Sequence, residues 1–129
     1  MSYSVVDPDD CERVDGRPCD LRRLSDAAGM DTVAINRFDA APGEQLPLAY
    51  HHHETQEEAF IVLSGTLHVE TPEEEFAIPE GSMFTAAPES PHRAYNPADA
   101  DEPISVVAIG APPVEDDAVP YEPDEGSSH

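Results

Sequence analysis

Apolar residues along this chain recur in short alternating or continuous runs, not at the spacing of helical turns. Residues 32–38 alternate, with Val33 and Ile35 on one face and Ala34 and Asn36 on the other, which predicts a first core strand. After the turn Ala41-Pro42-Gly43, residues 46–53 read as the next extended segment, with Pro47 at its start or edge. Residues 58–63 form a strand that Ser64-Gly65 folds back onto residues 66–71 as a hairpin. Pro72-Glu73-Glu74 and Pro79-Glu80-Gly81 are turns around a short strand at 75–78. Residues 83–86 and 92–95 are strands joined by Ala87-Pro88-Glu89-Ser90-Pro91, and 103–109 is the last long strand. Leu21-Arg22-Arg23-Leu24 suits either a short strand or one helical turn ending near Gly29.

Many short strands, evenly spaced by Gly and Pro with no long helix, predict an all-β sandwich or barrel. The expected layout is one domain: an irregular N-terminal arm with first edge elements over 1–30, the β domain over 31–110, and a loosely attached, acidic, Pro-rich tail over 111–129. No internal repeat is visible.

Composition sharpens this picture. The chain has 129 residues, 39% of them apolar, and a formal charge of −22 from 28 acidic and 6 basic residues. All the basic residues are Arg. Such a charge strains a compact chain through self-repulsion in dilute buffer. At ~1 M salt the Debye length falls to about 3 Å and that penalty largely disappears. The expected setting is therefore the salt-rich cytoplasm of a halophile. The acidity argues against nucleic acid or an anionic membrane as partner. Cys11 and Cys19 fit no paired-cysteine metal or redox motif, and reduced thiols are expected. No secretory leader pattern or membrane-length apolar run occurs, so a soluble cytoplasmic protein is expected.

The chemistry concentrates at His51-His52-His53-Glu54-Thr55-Gln56-Glu57-Glu58 and at Pro91-His92. In a strand, residues i and i+2 face the same way, so His51 and His53 point together into one cavity and His52 points away. With Glu58 and His92 they supply nitrogen and oxygen donors suited to a divalent transition metal.

These residues carry a family resemblance. The stretch from Gly43 to Gly65 resembles the first cupin motif: His51-x-His53, four residues, Glu58, six residues, Gly65. Gly81, His92 and Asn96 match the second. Gly43 lies farther from His51 than the pattern has it, Ala87 stands where the motif has Pro, and Glu89 where it has Gly. The resemblance covers roughly residues 30–110. It implies a double-stranded β-helix, the cupin jelly-roll barrel, with His51, His53, Glu58 and His92 as ligands of one ion in the barrel mouth. It also suggests a homodimer.

Around this set, His52 and Glu57 are expected to face outward and His68 to be a partly exposed strand residue. Arg93 is expected in a surface ion pair and Asn96 in a turn. Gln56, Tyr50, Phe60 and Tyr95 are candidates to line the pocket, and one of Met83 and Phe84 faces inward. The donor set suits iron, manganese, zinc or nickel. The expected function is a small metalloenzyme of dioxygenase or isomerase type acting on a small organic molecule. The alternative is a non-catalytic module that binds or senses a small ligand. Polar acid–base groups in the pocket would favour the enzyme.

Overall fold

The computed structural model describes residues 2–46, 50–113 and 118–120. Past a 3-10 turn at Pro8–Asp10, the chain forms β1 (Asp20–Arg23), α1 (Leu24–Ala28), β2 (Ala34–Ala40), β3 (His51–His53) and β4 (Glu57–Ser64). It continues as β5 (Leu67–Glu70), β6 (Glu75–Ile78), β7 (Met83–Ala86), β8 (Arg93–Tyr95), β9 (Ile104–Ala111) and β10 (Ala118–Pro120).

One antiparallel sheet has the order β1-β2-β9-β4-β7, and another the order β6-β5-β8. Bridges at Gln45–Tyr95 and His51–His92 tie the β3 side to β8, while β10 pairs with the other edge of β3. The second face therefore runs β6-β5-β8-β3-β10. The result is an all-β jelly-roll barrel, one of the two architectures that the spacing of strands and turns predicts and the one that the cupin resemblance implies.

Alternation decides what fills it. From β9, Ile104, Val106, Ala108 and Gly110 face inward; from β4, Phe60 and Val62; from β5, Leu67 and Val69. Burying each large apolar side chain contributes about 1.5–3 kcal/mol. On β2 the inward face is the even-numbered one: Phe38 and Ala40 are buried, whereas Val33 and Ile35 are only half-buried. Gly65 turns β4 into β5 at φ 77°, and a Cβ there would lie 2.7 Å from the Pro103 carbonyl oxygen. Both the conformation and the space call for glycine.

Some expectations need correction. Residues 21–24 are not one element: Arg23 ends β1 and Leu24 begins α1, which stops at Gly29 in the left-handed conformation. The arm is only partly irregular. Val14 N–H donates to Leu21 O (3.0 Å), Arg22 Nη1 donates to Cys11 O (2.6 Å), and Cys19 and Leu21 enter the core. Nor is everything beyond Gly110 a loose tail, because β9 runs on to Ala111 and β10 adds to the barrel beside β3. Residues 47–49 of the expected 46–53 segment, residues 114–117 and residues 121–129, with His129, lie outside the described residues. Both cysteines are free.

Candidate metal centre

β3 is short but held on both edges. On one side it pairs with β10; on the other, His51 N–H donates to His92 O (3.1 Å) and His92 N–H donates to His51 O (2.8 Å). This registers the His-x-His pair against the third histidine. His51 and His53 are buried, and His52 between them is half-buried on the opposite face. Glu58 lies on the inner face of β4, in the same alternating row as Phe60 and Val62, so the carboxylate rides on a strand fixed by the core. Glu57 is exposed.

The loop before His92 departs from the family pattern at Glu89, and the backbone shows the consequence. Glu89 has φ 67°, the left-handed region that glycine enters freely. Its N–H donates to His53 O (2.6 Å), which ties the loop to the end of β3.

Hydrogen bonding sets the chemistry. His92 Nδ1 is 2.9 Å from the Ser90 carbonyl oxygen, which can only accept, so Nδ1 carries the proton. A neutral His92 then presents a bare Nε2 lone pair. That atom lies 2.9 Å from Glu58 Oε1, so acceptor faces acceptor unless a cation, proton or metal, joins them. His53 Nε2 is 3.5 Å from the same oxygen and 3.2 Å from His51 Nε2. Burial pushes the Glu58 carboxyl up, but hydrogen bonds from His53 and His92, made where their Nε2 atoms carry protons, outweigh it and bring it down to about 2. Glu58 is therefore an anion at neutral pH.

Each of His51, Glu58 and His92 offers a donor atom within 4.8 Å of the other two, the arrangement of a group that could hold one metal ion. His53 is outside that mutual set but reaches His51 and Glu58 at the distances above. The Nδ1–Ser90 bond fixes the tautomer that leaves Nε2 for a metal, as is usual for ligating histidines. The donor set therefore fits a divalent ion.

The cluster opens into a cavity of about 450 Å3. Gln56 and Phe60 line it as expected, whereas Tyr50 and Tyr95 do not. Gln56 is buried, and its Nε2 donates to Pro112 O (3.0 Å). A Cβ on Gly110 would come within 2.5 Å of the Gln56 amide, so that glycine makes room for it. Arg93 forms the expected ion pair, with Glu70 (3.0 Å), and lies over the Tyr95 ring. His68 is half-buried, beside Tyr95. Asn96, 2% exposed, donates to Ala40 O (3.2 Å) and Glu102 O (3.0 Å), a structural role in the turn. Phe84 turns in towards Phe60 and His92, and Met83 is 59% exposed.

Sequence reasoning missed the far wall of the cavity. Arg17, Arg23, Asp26 and Asp31 line it, all from the N-terminal arm and the elements around α1. No motif marks them, because β1 reaches the cavity only through its pairing with β2.

No curated protein matches the chain. Among solved structures it is similar to a cupin-superfamily sugar phosphate isomerase from Silicibacter pomeroyi (24% identity, TM-score 0.73), over 84% of this chain and 75% of that one. It is similar to the polyketide cyclase RemF of Streptomyces resistomycificus (17% identity, TM-score 0.70), over 90% and 89% of the two chains. A predicted oxalate decarboxylase from Thermotoga maritima (17% identity, TM-score 0.69) matches over 84% and 98%. At these identities the likeness shows the fold. The family profile described as "Cupin domain" matches residues 36–110, more than half the length and both histidine-bearing segments, and the chain belongs to the cupin family.

Proposed function

We propose that this cupin is a metal-dependent enzyme acting on a small organic molecule, with one divalent ion held by His51, His53, Glu58 and His92. The observation that carries this reading is the meeting of His92 Nε2 with Glu58 Oε1 at 2.9 Å while Nδ1 is committed to Ser90. When bound, such an ion supplies Lewis acidity and open positions for a chelating substrate. Iron or manganese would suit a dioxygenase; zinc, nickel or manganese would suit an isomerase.

The chain's own residues supply the rest. Phe60, buried and edge-on to His92 with ring centroids 5.9 Å apart, gives that side of the site an apolar face. Ser25, Asn36, Gln56, Asp26 and Asp31 place hydroxyl, amide and carboxylate groups around the cavity. A purely apolar ring would have favoured the binding-module alternative; this polar wall favours catalysis. Among the relatives, the sugar phosphate isomerase makes the isomerase branch the first to test.

The proposal keeps a salt-rich cytoplasm as the setting, on the charge of −22, and homodimer pairing on the resemblance alone. It includes no nucleic-acid or membrane partner, and among the described residues no helix is long and apolar enough to cross a membrane.

The test is turnover by the metal-loaded protein on a panel of small sugar phosphates, hydroxy acids and diketones, with and without O2. The proposal expects one class to be converted and the His51→Ala/His92→Ala variant to be inert. Metal-loaded protein that binds panel members and converts none would return the reading to a binding module.

A further inference from the structure

In a chain with 28 carboxylates and six guanidinium groups, every Arg has potential partners to spare. Three take them: Arg22 with Asp20 (2.7 Å), Arg37 with Asp39 (3.3 Å) and Arg93 with Glu70 (3.0 Å). Among the described residues Arg13, Arg17 and Arg23 have no ion pair. Two of these, Arg17 and Arg23, line the same cavity as His51, His53, Glu58 and His92. Arg23 is half-buried at the end of β1, and Arg17 stands beside the turn at Gly16.

We propose that Arg17 and Arg23 form an anion-recognition site on the cavity wall, which binds a carboxylate or phosphate group of the substrate while its other end reaches the histidine cluster. This rests on the cavity being the substrate site, as proposed above, and adds the substrate's chemical class: a small molecule with one strongly anionic group.

A planar guanidinium offers paired N–H donors that match the oxygens of either anion. Asp26 and Asp31 share the wall, but neither lies within ion-pair distance of Arg17 or Arg23. The guanidinium groups thus keep their donors available. Elsewhere the surface repels anions, so two positive groups on one wall of the cavity, Arg23 half-buried and Arg17 exposed, both attract and select them. Rigidity comes from β1, registered on β2 through Arg23–Asn36, and from the Val14 N–H to Leu21 O bond (3.0 Å) that closes the arm's turn.

The experiment is calorimetric titration of the intact protein with inorganic phosphate and, separately, malonate, at fixed ionic strength. It compares wild type with Arg17→Gln/Arg23→Gln and with Arg13→Gln, which removes a positive charge away from the cavity. Metal content is measured on every sample. The proposal expects the double variant to lose about tenfold or more in affinity for at least one anion, with metal content unchanged and Arg13→Gln near wild type. Equal affinity in wild type and the double variant, or an equal loss in Arg13→Gln, would overturn it. Weakened anion binding in a protein that never holds metal would sustain the anion site and sink the metalloenzyme reading.

Discussion

His92 Nε2 and Glu58 Oε1 stand 2.9 Å apart although 34 residues separate them in the chain. Two strands on opposite faces of the barrel bring them together, and the Ser90 carbonyl takes up the one proton a neutral His92 could have offered. The pair calls for a cation. Replacing the carboxylate removes the demand and the ligand together. Glu58→Gln is expected to lower divalent-metal affinity by at least about tenfold while leaving the metal-free fold intact. Competition against a chromogenic chelator, with circular dichroism as the fold control, checks both. Unchanged affinity would exclude Glu58 from the site.

Glu89 occupies a left-handed conformation at a position where the family motif carries glycine. A non-glycine residue there costs on the order of 1–2 kcal/mol. Glu89→Gly is therefore expected to raise stability, by about 1 kcal/mol after glycine's larger entropy loss is subtracted. Denaturant unfolding measures it, and a destabilised variant would show that the Glu89 side chain contributes more than its backbone costs.

Gly65 presents the reverse case. A methyl group there meets the Pro103 carbonyl oxygen at 2.7 Å and Ile104 Cγ2 at 2.8 Å, at φ 77°. Gly65→Ala is expected to cost roughly 2–4 kcal/mol, from backbone strain plus the displacement of β9 at its first residue. A shift under 1 kcal/mol would mean that the turn yields more easily than this packing implies.

Cys19 is fully buried, and burial, followed by the nearby charges of Glu44 and Asp20, pushes its thiol up from 9.0 to about 12. A raised folded-state value favours the protonated form, so this contribution is intact below pH 9 and is lost as pH rises from there towards 12. Stability is expected to fall over that window in wild type and less in Cys19→Ala, each measured against its own value at pH 8. Identical slopes would remove Cys19 from the account. Alkylation at pH 8 should also spare Cys19 in the folded protein and modify it once unfolded.

The charge of −22 makes salt a variable of the fold. Dilution from molar to millimolar salt is expected to loosen the barrel, with the spectrum recovering as salt is restored. A circular dichroism spectrum unchanged down to millimolar salt would contradict the halophile setting.

The barrel was legible because period-two alternation and Gly–Pro turns are local signals, and residues 58–63 and 103–109 carry them strongly. The placing of His51, His53, Glu58 and His92 around one cavity was legible too, because His-x-His alternation and the two motifs act through strands. The far wall was not. Arg17 and Arg23 reach the cavity only because β1 docks on β2, a long-range pairing with no sequence period of its own. β10 was hidden for the same reason, since Ala118–Pro120 reads as tail until β3 offers it an edge.

The central claim is that His51, His53, Glu58 and His92 share one ion. The direct measurement is elemental analysis by mass spectrometry of protein purified in high salt without a metal-affinity column, beside the His51→Ala/His92→Ala variant. The account predicts about one equivalent of a divalent transition metal per chain in wild type and almost none in the variant. Equal metal content in the two proteins would contradict it.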